Sequence, residues 1–239
     1  MMKKIILTGI FFSLLSCANP YIRKDFSLND QKTREAVLEE ISFEPEESGN
    51  YLALGIFYFD RNYVDEAIAN LEKAHQINPK NAEILVYLGS AQCKKGRELS
   101  GWYCFGLNKI WKVEEGVANM NRAVEMDPEN PIPRLVRSAT LTILKGQFSR
   151  FETALDDIRW FEKKLEADKD FFNSDIIGQF LLIKGQYILA RWEMEGGEGE
   201  AEKTTALNLI QEASRYFPED SEHKKEIDRF YTTHSGENK

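Results

Sequence analysis

The chain has 239 residues, 42% hydrophobic and 29% charged, with a formal net charge of −8. That composition is globular rather than disordered, and the length suits one sizeable domain or a short array of repeats. The acidic balance argues against nonspecific binding to nucleic acid or to an anionic membrane surface, because both are polyanions.

The chain begins with Lys3 and Lys4 and an apolar run from Ile5 to Leu15, ending in Leu14-Leu15-Ser16-Cys17. The run is too short for a stable spanning helix, and residues 1–16 read as a signal peptide. Residues 17–28, with Pro20, read as a tether, and residues 29–231 as a helical domain. Its leading helix is expected over Asp30 to Phe43, capped by Asn29 or Asp30, with Val37, Leu38 and Ile41 as its apolar edge. Pro45 and Gly49 break it.

From Tyr51 to Pro79 small and large residues alternate at helix-pair spacing. They read Tyr51-x2-Leu54-Gly55-x2-Tyr58, then Ala67-x3-Leu71-x2-Ala74, then Pro79. Gly55, Ala67 and Ala74 let two antiparallel helices approach, and the large residues fill the space between them. Pro79 ends the second helix. The two helices are expected over Tyr51 to Arg61 and Asp65 to Gln76. A second pair starts with Leu85-x2-Leu88-Gly89 and resumes with Gly116-x3-Met120-x2-Ala123 and Pro128. Between these halves lie about 15 extra residues relative to a 34-residue repeat. This insertion, roughly 96–111, carries Trp102, Tyr103, Phe105, Leu107, Ile110 and Trp111. Such side chains either fold back into the core or form a contact surface.

A third pair is opened by Pro131 and Pro133, with helices expected over Leu135 to Leu144 and Glu152 to Glu166. Arg134 and Arg137 lie one turn apart, and Asp156 and Asp157 sit on the next helix. They read as a salt bridge between the helices, or as a basic spot for a partner's carboxylate. A fourth pair spans Ser174 to Glu195 and Ala201 to Tyr216, joined by a Gly-rich acidic loop. Gly185 lies inside its first helix at a cost of about 1 kcal/mol relative to Ala, which points to close helix packing. Glu222 to Tyr231 is expected as a closing helix, and residues 232–239 as a disordered tail.

The Tyr51–Pro79 pattern resembles a tetratricopeptide repeat, and the likeness extends over most of residues 48–218. The resemblance implies an all-α, tetratricopeptide-like α-solenoid of about four helical hairpins, with a leading helix and an aromatic-rich insertion in the second hairpin. It also implies a protein-binding surface, because the first helices of successive pairs line a concave groove. Transferred to this chain, the lining is Leu52, Ile56, Phe59 and Asp60, then Glu83, Val86, Ser90, Cys93 and Lys94, then Leu135, Ala139, Thr142 and Ile143. A largely apolar lining suits an extended hydrophobic peptide, an amphipathic helix or a lipid-like ligand. The alternative is that the leading helix fills the groove.

Leu14 to Cys17 resembles a bacterial lipobox. The resemblance implies lipidation of Cys17 and a bacterial cell-envelope location, with Ala18 favouring the outer membrane facing the periplasm. Taken with the repeats, it implies a membrane-anchored interaction scaffold or assembly factor of an envelope complex, with a protein partner. The alternative is a carrier of a small apolar or lipid-like ligand, accessory to a periplasmic transport system. Cys93 and Cys104 are compatible with a disulfide or with two buried apolar residues. His75, His223 and His234 lack the i, i+4 spacing of a helical metal site. No nucleophile elbow, phosphate loop or dinucleotide fingerprint occurs. The sequence is therefore read as a non-enzyme with no cofactor, metal or nucleic-acid partner.

Overall fold

The computed structural model describes residues 22–99, 107–144, 148–219 and 221–235. Among the described residues there are ten α-helices and no strand. The chain divides into two compact units at Val136 and Arg137.

The first unit contains α1 (Leu28–Phe43), α2 (Ser48–Asp60), α3 (Val64–Ile77), α4 (Ala82–Glu98) and α5 (Leu107–Met126). The division falls within α6 (Pro131–Ile143). Short polar side chains set the helix starts. Ser27 caps α1 in a reciprocal capping box with Asp30, and Asn81 Oδ1 accepts from the amides of Glu83 and Ile84 at 2.9 and 3.1 Å. These side chains satisfy amides that have no partner within the helix. Asn130 does the same for α6, accepting from the Ile132 amide at 3.0 Å. That helix starts at Pro131, earlier than expected, because a first helical residue needs no amide hydrogen.

α2 and α3 form the expected hairpin, and α4 and α5 form the next. In the second pair the backbones themselves meet. A Cβ on Gly89 would lie 2.5 Å from the Gly116 carbonyl oxygen and 2.8 Å from Met120 Cγ. This contact fixes the register, and the two helices then continue past the repeat length. The Cys93 thiol lies 3.5 Å from the Val113 carbonyl, and Gly96 abuts Val113 and the Lys109 carbonyl. The expected 96–111 insertion is therefore helical at both ends, as α4 runs to Glu98 and α5 starts at Leu107.

The leading helix packs through Val37 on Leu54 and Phe57. At 100° per residue these lie on the side of α2 opposite Leu52, Ile56 and Phe59, so α1 does not occupy the face expected to line the groove. The segment before α1, expected as part of a tether, is held down. The Lys24 amide donates to the Arg61 carbonyl at 3.0 Å, and Asn62 Nδ2 donates to the Ile22 carbonyl at 2.7 Å. Phe26 stacks on Tyr63 at 4.8 Å and packs against Phe57 at 5.4 Å. Asn62 holds a left-handed φ of 64° in the α2–α3 turn, which Asn tolerates better than most residues.

The second unit contains the end of α6, then α7 (Phe148–Ala167), α8 (Ser174–Met194), α9 (Glu200–Ser214) and α10 (Glu222–Ser235). Its core is aromatic: Phe161 lies 5.0 Å from Phe172 and 5.2 Å from Phe180, and Phe151 stacks on Tyr187 at 4.3 Å. Gly185 allows close packing, as its sequence position suggests. A Cβ there would lie 2.8 Å from the Ala206 carbonyl and 2.7 Å from Ile210 Cγ1. α10 covers α9 with Ile227 fully buried. It runs to Ser235, so the first four residues of the expected tail are helical. Thr232 and Thr233 hydroxyls return to the carbonyls of Asp228 and Arg229, each at 2.8 Å.

Gly89→Ala should lower stability by about 1–3 kcal/mol through overpacking at the α4–α5 contact. Urea unfolding checks this, and an unchanged midpoint would contradict the backbone contact.

Candidate interaction surfaces

Most of the residues expected to line a groove are buried. Leu52 and Ile56 are each 3% exposed, Phe59 4%, Val86 0% and Ser90 4%. Asp60, Cys93, Leu135, Ala139 and Thr142 are buried too, while Glu83 and Ile143 are partly exposed. Their burial is at odds with an open groove lined by these side chains. Helical spacing identifies which residues share a face; it does not say whether that face is covered.

Lys94 is the chemically unusual member of this set. Its ammonium donates to the Phe59 carbonyl at 2.9 Å and lies 4.4 Å from the centre of the Phe59 ring. It thus gives a second donor to a carbonyl at the end of α2 that also accepts from the Asn62 amide at 3.2 Å. Burial lowers its pKa to about 8, opposed by the charges of Asp60 and Glu98 and assisted by those of Lys24 and Arg97. Tyr87, also deeply buried, is pushed the other way by burial and by Asp60 and Glu83.

Of the insertion, Trp102, Tyr103, Cys104 and Phe105 lie outside the described residues. Trp111 lies on α5 rather than in a loop and is 70% exposed, with Leu107 and Ile110 each 47% exposed. For Trp111 the fold-back expectation is therefore corrected. The opposite face of α5, with Val113, Gly116 and Met120, takes the packing against α4.

The second unit has an open cleft of about 390 Å³ between α7, α8 and α9. Leu155, Ile158, Tyr187 and Ile188 give it apolar walls. Lys184–Glu162 at 2.7 Å and Arg191–Glu202 at 3.0 Å bridge its helices.

The four charged residues of the third pair separate into different roles. Arg137 makes two hydrogen bonds to Asp157, at 2.9 and 2.7 Å, in a buried bridge between α6 and α7. Arg134 donates to the Pro128 carbonyl at 3.3 Å, and Asp156 pairs with Arg159 on the surface. This is the structural bridge anticipated as one reading of the sequence.

His75 is half-buried on α3. Its pKa is lowered by burial and by the charge of Arg122. His234 stacks on Phe230 at 4.0 Å within α10. Among the described residues no three His, Cys, Asp or Glu side chains converge on a point that would hold a metal ion. No helix among them is long and apolar enough to cross a membrane.

The family described as TPR repeat matches residues 55–96, from the middle of α2 through α3 and most of α4. No curated protein matches the chain.

Replacing Asp157 by Leu should cost about 3–5 kcal/mol, because the buried Arg137 loses the carboxylate that takes two of its hydrogen bonds. The double variant Arg137→Met/Asp157→Leu should recover much of that loss in urea unfolding. Lys94 should leave a signature in alkali. Between about pH 8 and its ordinary 10.5, the unfolded chain binds more protons at this residue than the folded chain. Its contribution to stability therefore rises with pH through that window. Tyr87 works in the opposite sense from its ordinary value of 10.0 upward. The stability difference between Lys94→Met and the parent should change across the window; a constant difference would contradict the buried ammonium.

Proposed function

We propose that this chain is a noncovalent protein-binding scaffold or assembly factor of a bacterial cell envelope, lipid-anchored through Cys17 and facing the periplasm from the outer membrane. The observation that carries the binding role is the tetratricopeptide-like hairpin pair, matched over residues 55–96 and built on close helix contacts. Tetratricopeptide repeats generally mediate protein–protein interaction. The lipobox-like Leu14–Cys17 supports the anchor. With Leu52, Ile56, Phe59, Val86 and Ser90 buried, partner contact falls to exposed surface rather than to the groove first expected.

A second reading, a carrier of a small apolar or lipid-like ligand, draws on the open cleft of about 390 Å³ in the second unit. Drug-sized ligands occupy cavities of roughly 300–1,000 Å³.

Crosslinking in native envelopes should capture a discrete protein, and tagging that protein should bring this chain back. Failure of the reciprocal capture would remove the scaffold reading. Native mass spectrometry separates the carrier: a retained ligand mass lost in Ile188→Trp would support it, and a clean apo mass would sink it. Cys17→Ala should move the protein out of the membrane fraction; continued lipid modification and membrane retention would refute anchoring at that residue.

A further inference from the structure

Contacts within the first unit gather several chain ends on one edge. The last turn of α4 is the hub. Lys94 reaches the Phe59 carbonyl at the end of α2 at 2.9 Å. Lys95 pairs with Asp65 at the start of α3 at 2.8 Å. Gly96 abuts Lys109 and Val113 in the first turns of α5. The α2–α3 turn in turn holds the incoming chain through Asn62 to Ile22 and Arg61 to Lys24, and Arg23 pairs with Glu66 at 3.7 Å. The entry of the N-terminal segment, the α2–α3 turn, the end of α4 and the start of α5 therefore share an edge.

Exposed apolar side chains collect there. Ile22 is 62% exposed and Trp111 70%, and Leu107 and Ile110 are each 47% exposed. Lys109 and Lys112 flank Ile110 and Trp111 in sequence, but at 100° per residue they turn toward the side of α5 that carries Val113 and Gly116, leaving Leu107, Ile110 and Trp111 together on the exposed face. An exposed tryptophan beside Ile and Leu on one helix face is what settles at a lipid–water boundary, with the ring at headgroup depth. The chain's net charge of −8 does not describe this edge. Arg23, Lys95 and Lys112 neutralise Glu66, Asp65 and Glu115 there.

We infer that this edge of the first unit lies on the lipid surface, with Ile22, Leu107, Ile110 and Trp111 seated in the interfacial layer. The inference rests on the reading of Cys17 as the anchor. From Cys17 to Ile22, where the described structure begins, even a fully extended chain spans at most ~18 Å. That length delivers the edge to the bilayer and leaves little room for a partner to intervene. The short span and its point of entry favour lipid over protein as the occupant.

The test supplies the tether chemically, so it does not depend on natural lipidation. The processed chain from Cys17, carrying Cys104→Ser, is coupled through the Cys17 thiol to a maleimide-headgroup lipid in phosphatidylethanolamine/phosphatidylglycerol vesicles. Brominated acyl chains in those vesicles should quench tryptophan emission. Trp111→Phe should lose most of that quenching, and the surface variant Ile110→Asp should lose it with unchanged helical circular dichroism. Equal quenching in parent and Trp111→Phe would overturn the inference. So would an unquenched Trp111 on protein-free vesicles together with a protein crosslink from residue 110 in native envelopes, which would assign the edge to a protein. Fractionation of Cys17→Ala judges the anchor separately, so either idea can fall alone.

Discussion

The first unit depends on how closely α4 and α5 approach at Gly89 and Gly116. Two backbones in contact leave no freedom of register. Once that contact is made, Ala123 and Met120 are carried to full burial on one side and Cys93 and Val113 meet on the other. The extra residues cannot bulge out at the contact, so they lengthen both helices. That lengthening brings the end of α4 against the start of α5 and places Leu107, Ile110 and Trp111 on a free helical face. A small-residue contact in the middle of a hairpin thus determines what is displayed at its end.

Helix identity was largely legible in the residues, since Gly55, Ala67, Leu71 and Ala74 repeat a spacing that only a close helical pair uses. The hairpin closed by Gly185 and Ile210 was legible for the same reason. Helix ends were less so. Pro131 looked like a boundary and is a first helical residue, and Thr232 and Thr233 looked like tail although their hydroxyls bond back one turn. Of the insertion, the described ends at residues 96–98 and 107–111 are helical. Spacing reports that residues have been added, while the contact between Gly96 and Val113 that keeps them helical is visible only in three dimensions.

The expected groove shows another limit. Leu52, Ile56 and Phe59 do share a face of α2, and the leading helix lies on the opposite one. Periodicity carries that much. Burial is a property of the whole chain, and nothing in the local pattern distinguishes an apolar stripe that waits for a partner from one already enclosed. Lys94 gave the better clue in retrospect. An ammonium beside Phe59 in an apolar stripe is costly in a buried site unless a carbonyl receives it, and the end of α2 supplies one.

The clasp between Asn62 and Ile22 also has a mechanical meaning. A pull transmitted to Ile22 enters the fold at the α2–α3 turn, through the 2.7 Å bond to Ile22 and the neighbouring bond from Lys24. These two bonds and the Phe26 ring lie in series with the load, whereas the α4–α5 contact lies outside it. A force along the chain would peel residues 22–27 away as a short extensible leash before it reached the hairpins, so the first unit carries its own strain relief.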